Sequence, residues 1–217
     1  MSTDSKPLNA LNFMFHHGAR FFSGLFSPLL MPTYGTLFAL WTSILCYQSL
    51  GSRLAVLLVI FSITCLLPMI MIAVLHFFKV VEDKKLDKRE ERWLPYLFTI
   101  GCYVASAFYL GHVHAPDWMV AFMWGGAVAC LTSLLINFLW KISAHTAGIA
   151  GVVAFLFYIH NVGLEAFNLF WLICGTIIVA GAIGTSRLRL NRHTFWQVIA
   201  GFVNGYLCVY ITLMLLG

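Results

Sequence analysis

The sequence predicts an all-α polytopic membrane protein of about six to seven transmembrane helices, led by an N-terminal interfacial helix. Three observations predict it. Hydrophobic residues make up 61% of the 217-residue chain and charged residues only 10%, against about 25% charged in a soluble domain. Several stretches reach the roughly 20 apolar residues that cross a bilayer. Polar residues gather in short clusters between those stretches, and a spanning chain must satisfy its backbone internally, which open sheets cannot do. One helical membrane domain over 1–217 results, with 8–30 interfacial and 33–217 the transmembrane bundle.

The elements follow in order. The start, MSTDSKPLNALNF, is polar and leads into HHGAR, unlike a cleaved signal peptide. In 8–30, His16, His17 and Arg20 interrupt an apolar run, which predicts an amphipathic helix in the interface ending near Pro28 and Pro32. Segment one covers about 33–50, and Gly51-Ser52-Arg53 turns the chain. Segment two, about 54–78, carries Pro68 and a kink there. The long charged stretch 79–92 follows. Segment three (about 94–111) and segment four (about 118–139) flank the turn HVHAPD, with Pro116 and Asp117 as breakers. Lys141 and Ser143 separate segment four from segment five, about 144–160. Segment six covers about 166–185 and segment seven about 194–216. Gly201 and Gly205 form a GxxxG in segment seven, a helix-packing pattern in lipid.

Counting crossings puts three polar clusters on one membrane face: 85–92, 141–145 and 186–193. Twelve of the thirteen Lys and Arg fall on that face, leaving Arg53 opposite. The positive-inside rule then places the clusters in the cytoplasm of a bacterial inner-membrane protein. Bases at the ends of apolar segments favour anionic head groups or phosphate, and no nucleic-acid-binding pattern is present. The six Cys lie within apolar stretches without a CxxC and read as small buried hydrophobes.

The clusters offer cations and imidazoles. His193 begins segment seven among Arg187, Arg189 and Arg192. Neighbouring guanidinium groups disfavour imidazolium, and neutral imidazole is the nucleophilic form. Gln197 lies four residues on, on the same helical face, where its amide oxygen can accept from one ring nitrogen and set the tautomer. Ser143 is placed to cap segment five, whose first-turn N–H groups favour an anion. His145 lies in that turn, able to protonate a leaving oxygen, with Lys141 nearby. In the loop Lys85, Arg89 and Arg92, Arg suits bidentate phosphate contact. Arg92 lies closest to the buried segment. Each cluster taken alone also fits a plain reading: an interfacial His, a helix cap, a positive loop. A catalytic metal would need three or four converging ligands, and no carboxylate lies near His145 or His193 in sequence.

Together the clusters resemble the type 2 phosphatidic acid phosphatase (PAP2) superfamily of membrane lipid phosphatases, in a divergent bacterial branch. The family is marked by K-x6-R-P, P-S-G-H and S-R-x5-H-x3-D. The third is matched by Ser186-Arg187, five residues, then His193. The first is matched by Lys85 to Arg92, with its proline displaced to Pro95. Of the second, Ser143-Ala144-His145 remains. The resemblance implies hydrolysis of a lipid phosphomonoester or diphosphate with neither cofactor nor metal. His193 would form a phosphohistidine and His145 would protonate the leaving group. Lys85, Arg92 and Arg187 would clamp the phosphoryl oxygens, helped by Ser143, Ser186 and Lys141. Three departures are Gln197 for the family Asp, Ala144 for Gly and Ile142 for Pro. Gln orients an imidazole but cannot offset imidazolium charge. The implied partner is a phosphorylated lipid within the membrane. The alternatives are a non-catalytic membrane protein that binds or transports phosphate or phospholipid at the same anion site, and a structural or assembly protein.

Overall fold

A computed structural model describes residues 18, 21–80 and 91–217, all helical apart from turns and one isolated bridge. A helical turn at 21–25 leads to a 3₁₀ turn, Pro28–Leu30, and then α1, Met31–Thr42. A second 3₁₀ turn, Ile44–Tyr47, precedes α2, Leu50–Phe77. Then come α3 (Trp93–His112), α4 (Asp117–Leu139), α5 (Ala144–Val162), α6 (Phe170–Arg189) and α7 (Phe195–Leu216). Six helices, α2 to α7, are long and apolar enough to cross a membrane, and the chain is a multi-pass membrane protein.

The six-to-seven range reflects α1. Its 12 residues span about 18 Å, short of the roughly 30 Å hydrocarbon core. The flanking 3₁₀ turns extend it alongside α5. Pro28 and Met31 sit against Gly148 at one end. At the other, Ser43 bridges Glu165, Ile44 N–H donates to Leu164 O (3.2 Å) and Ala166 N–H to Thr42 O (2.8 Å). These bonds keep 163–169 irregular, so α6 begins later than the sequence suggests. The expected kink of segment two is a π-helical turn, Ser62–Leu66, directly before Pro68. Proline lacks an N–H and crowds the carbonyl four residues back, and a widened turn relieves both. The expected interfacial helix at 8–30 lies mostly outside the described residues, as do Lys85 and Arg89.

α5 is the central helix, with buried residues on all sides from Thr146 to Ile159. Asn204 of α7 donates to Ala129 O (3.1 Å) and Ser133 Oγ (3.0 Å) of α4, joining those helices where no water competes. The closest approach is between α7 and the start of α5. A Cβ on Gly201 would lie 2.5 Å from Ser143 O, and one on Gly205 would overlap the backbone of Ala147. Around these glycines Thr146 Oγ1 donates to Val198 O (3.0 Å) and Ser143 N–H to Gln197 O (3.3 Å). Gly205→Ala should therefore force the helices apart and destabilise the fold by about 1–3 kcal/mol, the usual cost of overpacking. Thermal unfolding in detergent checks this, and an unchanged midpoint would show that the contact is dispensable.

Candidate active site

The loop from Arg187 to His193 is built by a helix C-cap. α6 ends at Arg189, and Asn191 takes a left-handed conformation (φ 51°), which Asn tolerates better than most residues. Asn191 N–H donates to Leu188 O (3.0 Å) and Arg192 N–H to Arg187 O (3.1 Å). This is the paired bonding of a Schellman turn. The five residues between Arg187 and His193 are thus the last turn of α6 and its cap. They bring a guanidinium on α6 and an imidazole at the entry to α7 to the same cavity.

His193 is 8% exposed. Its Nδ1 lies 3.2 Å from Gln197 Oε1, which also accepts from Thr194 N–H at 3.1 Å in a capping box. The Thr194 N–H fixes the amide with its oxygen toward it. An amide oxygen only accepts, so His193 Nδ1 carries the hydrogen and Nε2 keeps a free lone pair. Burial, then the charges of Arg187, Arg92 and Lys141, push the His193 pKa down to about 3 against a smaller opposing effect of Gln197. The imidazole is neutral at physiological pH, and each charge named as acting on it is a cation.

Arg92, at the N-cap of α3, is 8% exposed and donates through Nη1 to Ile142 O (3.5 Å). Burial lowers its pKa. Lys141 is half-buried, its pKa lowered by burial and then by Arg92 and Arg187. Arg187 Nη1 donates to Ser23 Oγ (2.9 Å), while its buried Nε has no partner among the described residues. His145 sits in the first turn of α5, within hydrogen-bonding reach of the Ser23 backbone. Arg92, His145, Arg187, Arg192 and His193 line one cavity of about 920 Å³. Its remaining wall is largely apolar and extends to Tyr103, Gly126, Phe122 and Val209. On α4 the lining runs from Phe122 to Ser133, about 16 Å by helical rise.

Three sequence-predicted contacts do not line the cavity. Ser143 caps α5, accepting from Thr146 N–H (3.5 Å). The Ser186 hydroxyl donates back to Ala182 O (2.8 Å) within its own helix. Lys141 stands behind, acting through its charge. Lys85 lies outside the described residues. Sequence reasoning passed over Ser23 and Tyr96, both on the cavity wall, the latter with a buried hydroxyl lacking a partner. Ser23 sits in the apolar run FFSGLF with no local signal. Tyr96 follows Arg92 by one helical turn, a spacing that could have marked it. Among the described residues, no group of three or more His, Cys, Asp or Glu converges as a metal site would.

The low His193 pKa has a stability consequence. The unfolded imidazole binds its proton near pH 6.5 and the folded one only near 3, so this group lowers stability progressively as pH falls between those values. Gln197→Glu keeps the side-chain length and both acceptor contacts while adding a negative charge. His193 should then titrate about 1–3 pH units higher, and the acid-side loss of stability should shrink. Histidine NMR titration of the two proteins checks this, and an unmoved His193 would refute the contact. Comparison with curated proteins and with solved structures gives no match. The family model of the PAP2 superfamily matches residues 137–216, a stretch that contains His145, Arg187 and His193 but not Arg92.

Proposed function

We infer that the chain hydrolyses a phosphomonoester or diphosphate on a membrane lipid through a phosphohistidine at His193. The observation that carries this is the Nε2 lone pair of a neutral, tautomer-fixed imidazole on the same cavity wall as the guanidinium groups of buried Arg92 and half-buried Arg187. Phosphoryl transfer needs little beyond positioning and charge stabilisation of the transferred group, and Arg92 and Arg187 supply both. The Nε2 pair attacks phosphorus, the phosphorus–lipid oxygen bond breaks, and His145, protonated once the negative phosphate lies beside it, gives that proton to the departing oxygen. Water then attacks phosphorus, its proton passes to His145, and the phosphorus–nitrogen bond breaks. Lys141 adds positive field, Ser143 caps the helix that presents His145, and Ser186 packs beside Arg187.

The cavity supports a lipid substrate. Its polar end matches a phosphate, and its largely apolar wall runs from Phe122 to Ser133 on α4, about 16 Å by helical rise, a length suited to hydrocarbon. Gln197 favours a second reading. Among the described residues the charges acting on His193 are those of Arg187, Arg92 and Lys141, and the same anion site also suits a protein that binds or carries a phosphorylated lipid without cleaving it.

Phosphate release from phosphatidic acid, phosphatidylglycerol phosphate and an isoprenyl diphosphate, with chelator present, separates the two. Hydrolysis predicts release from at least one lipid, reduced by about a thousandfold or more in His193→Ala, on the scale of losing a covalent nucleophile, with the fold intact. Unchanged turnover in His193→Ala would remove His193 as nucleophile, and lipid binding without release would establish the second reading.

A further inference from the structure

Ser23 belongs to none of the clusters marked in the sequence and is separated from Arg187 by 164 positions, yet its Oγ accepts from Arg187 Nη1 at 2.9 Å. The residue is 7% exposed and lies on the cavity wall with His145, Arg187 and His193. Its backbone stands within hydrogen-bonding reach of the His145 imidazole, so the segment is held against both the guanidinium and the imidazole.

We propose that Ser23 is a substrate-binding residue, orienting Arg187 through Nη1 and donating its own hydroxyl hydrogen to a phosphoryl oxygen of the lipid phosphate. This rests on the lipid-phosphate reading of the cavity. A serine hydroxyl has one hydrogen to give and two lone pairs to receive. Arg187 occupies one lone pair, and the hydrogen has no acceptor among the described residues. Arg187 in turn has its Nη1 committed to Ser23 while its buried Nε has no partner among the described residues. Two adjacent donors, one neutral and one charged, are therefore left at the same wall. A bound phosphate dianion has oxygens enough to accept from both. The N-terminal segment thereby becomes a fifth contributor to a site otherwise assembled from the starts of α3, α5 and α7 and the end of α6.

The test uses the full chain in detergent micelles as wild type, Ser23→Ala and Ser23→Thr, with His193→Ala as control. Inorganic phosphate affinity is measured by calorimetry, and KM and kcat for dioleoyl phosphatidic acid in mixed micelles. Ser23→Ala should weaken inorganic phosphate and raise KM by about tenfold, the scale of one hydrogen bond to a charged group, with kcat changed by less than about threefold. Ser23→Thr, which keeps the hydroxyl, should stay within about twofold of wild type. Should Ser23→Ala not fold, the near-isosteric Ser23→Cys, a weak donor, carries the same expectation. Phosphate affinity in Ser23→Ala equal to or tighter than wild type would overturn the proposal. A wild type that binds phosphate but releases none from lipid overturns hydrolysis alone, and the calorimetry still decides Ser23. A wild type that binds no phosphate overturns both.

Discussion

The contact of Gly201 and Gly205 with the first turn of α5 is the constraint on which the site depends. α7 carries His193 at its entry and α5 carries His145 in its first turn. Only glycine lets the two backbones approach this closely, since a Cβ at Gly205 would overlap Ala147. The bonds from Thr146 Oγ1 to Val198 O and from Ser143 N–H to Gln197 O fix the register of the approach. The serine that caps α5 thus also ties to the residue that orients His193. Helix packing and imidazole alignment are parts of one arrangement.

Gln197 shows how few atoms the alignment takes. One amide oxygen caps α7 through Thr194 N–H and accepts from His193 Nδ1. The cap anchors the amide, and the amide anchors the tautomer. A carboxylate would do the same and also favour imidazolium. Here the surrounding charges are cationic and burial adds to them, which holds His193 in its nucleophilic form. On the phosphohistidine reading, with cations alone acting on His193 among the described residues, the positive charge formed on phosphorylation would be offset by the phosphoryl group itself.

Much of this was legible in the sequence where chemistry and spacing are local. The six spans, the same-face placement of Arg92, His145, Arg187 and His193, the Ser143 cap and the Gln197–His193 pair follow from residues a few positions apart or from counting crossings. Features set by tertiary contact were not legible. The length of α1 depends on its pairing with the end of α5. The late start of α6 depends on backbone bonds to Thr42. The Ser186 hydroxyl looks available in sequence but turns back onto Ala182, an alternative that helical serines commonly take. Ser23 reaches Arg187 only because the chain before α1 folds over the start of α5.

The central claim is that His193 Nε2 receives the phosphoryl group, and the direct test is to trap it. Rapid quench of the protein with a lipid phosphate under alkaline conditions, followed by peptide mass spectrometry and phosphorus NMR, locates the adduct. The tautomer set by Gln197 and Thr194 predicts phosphate on His193 at Nε2. An adduct at Nδ1 or on another residue, or steady turnover with no adduct, would contradict it.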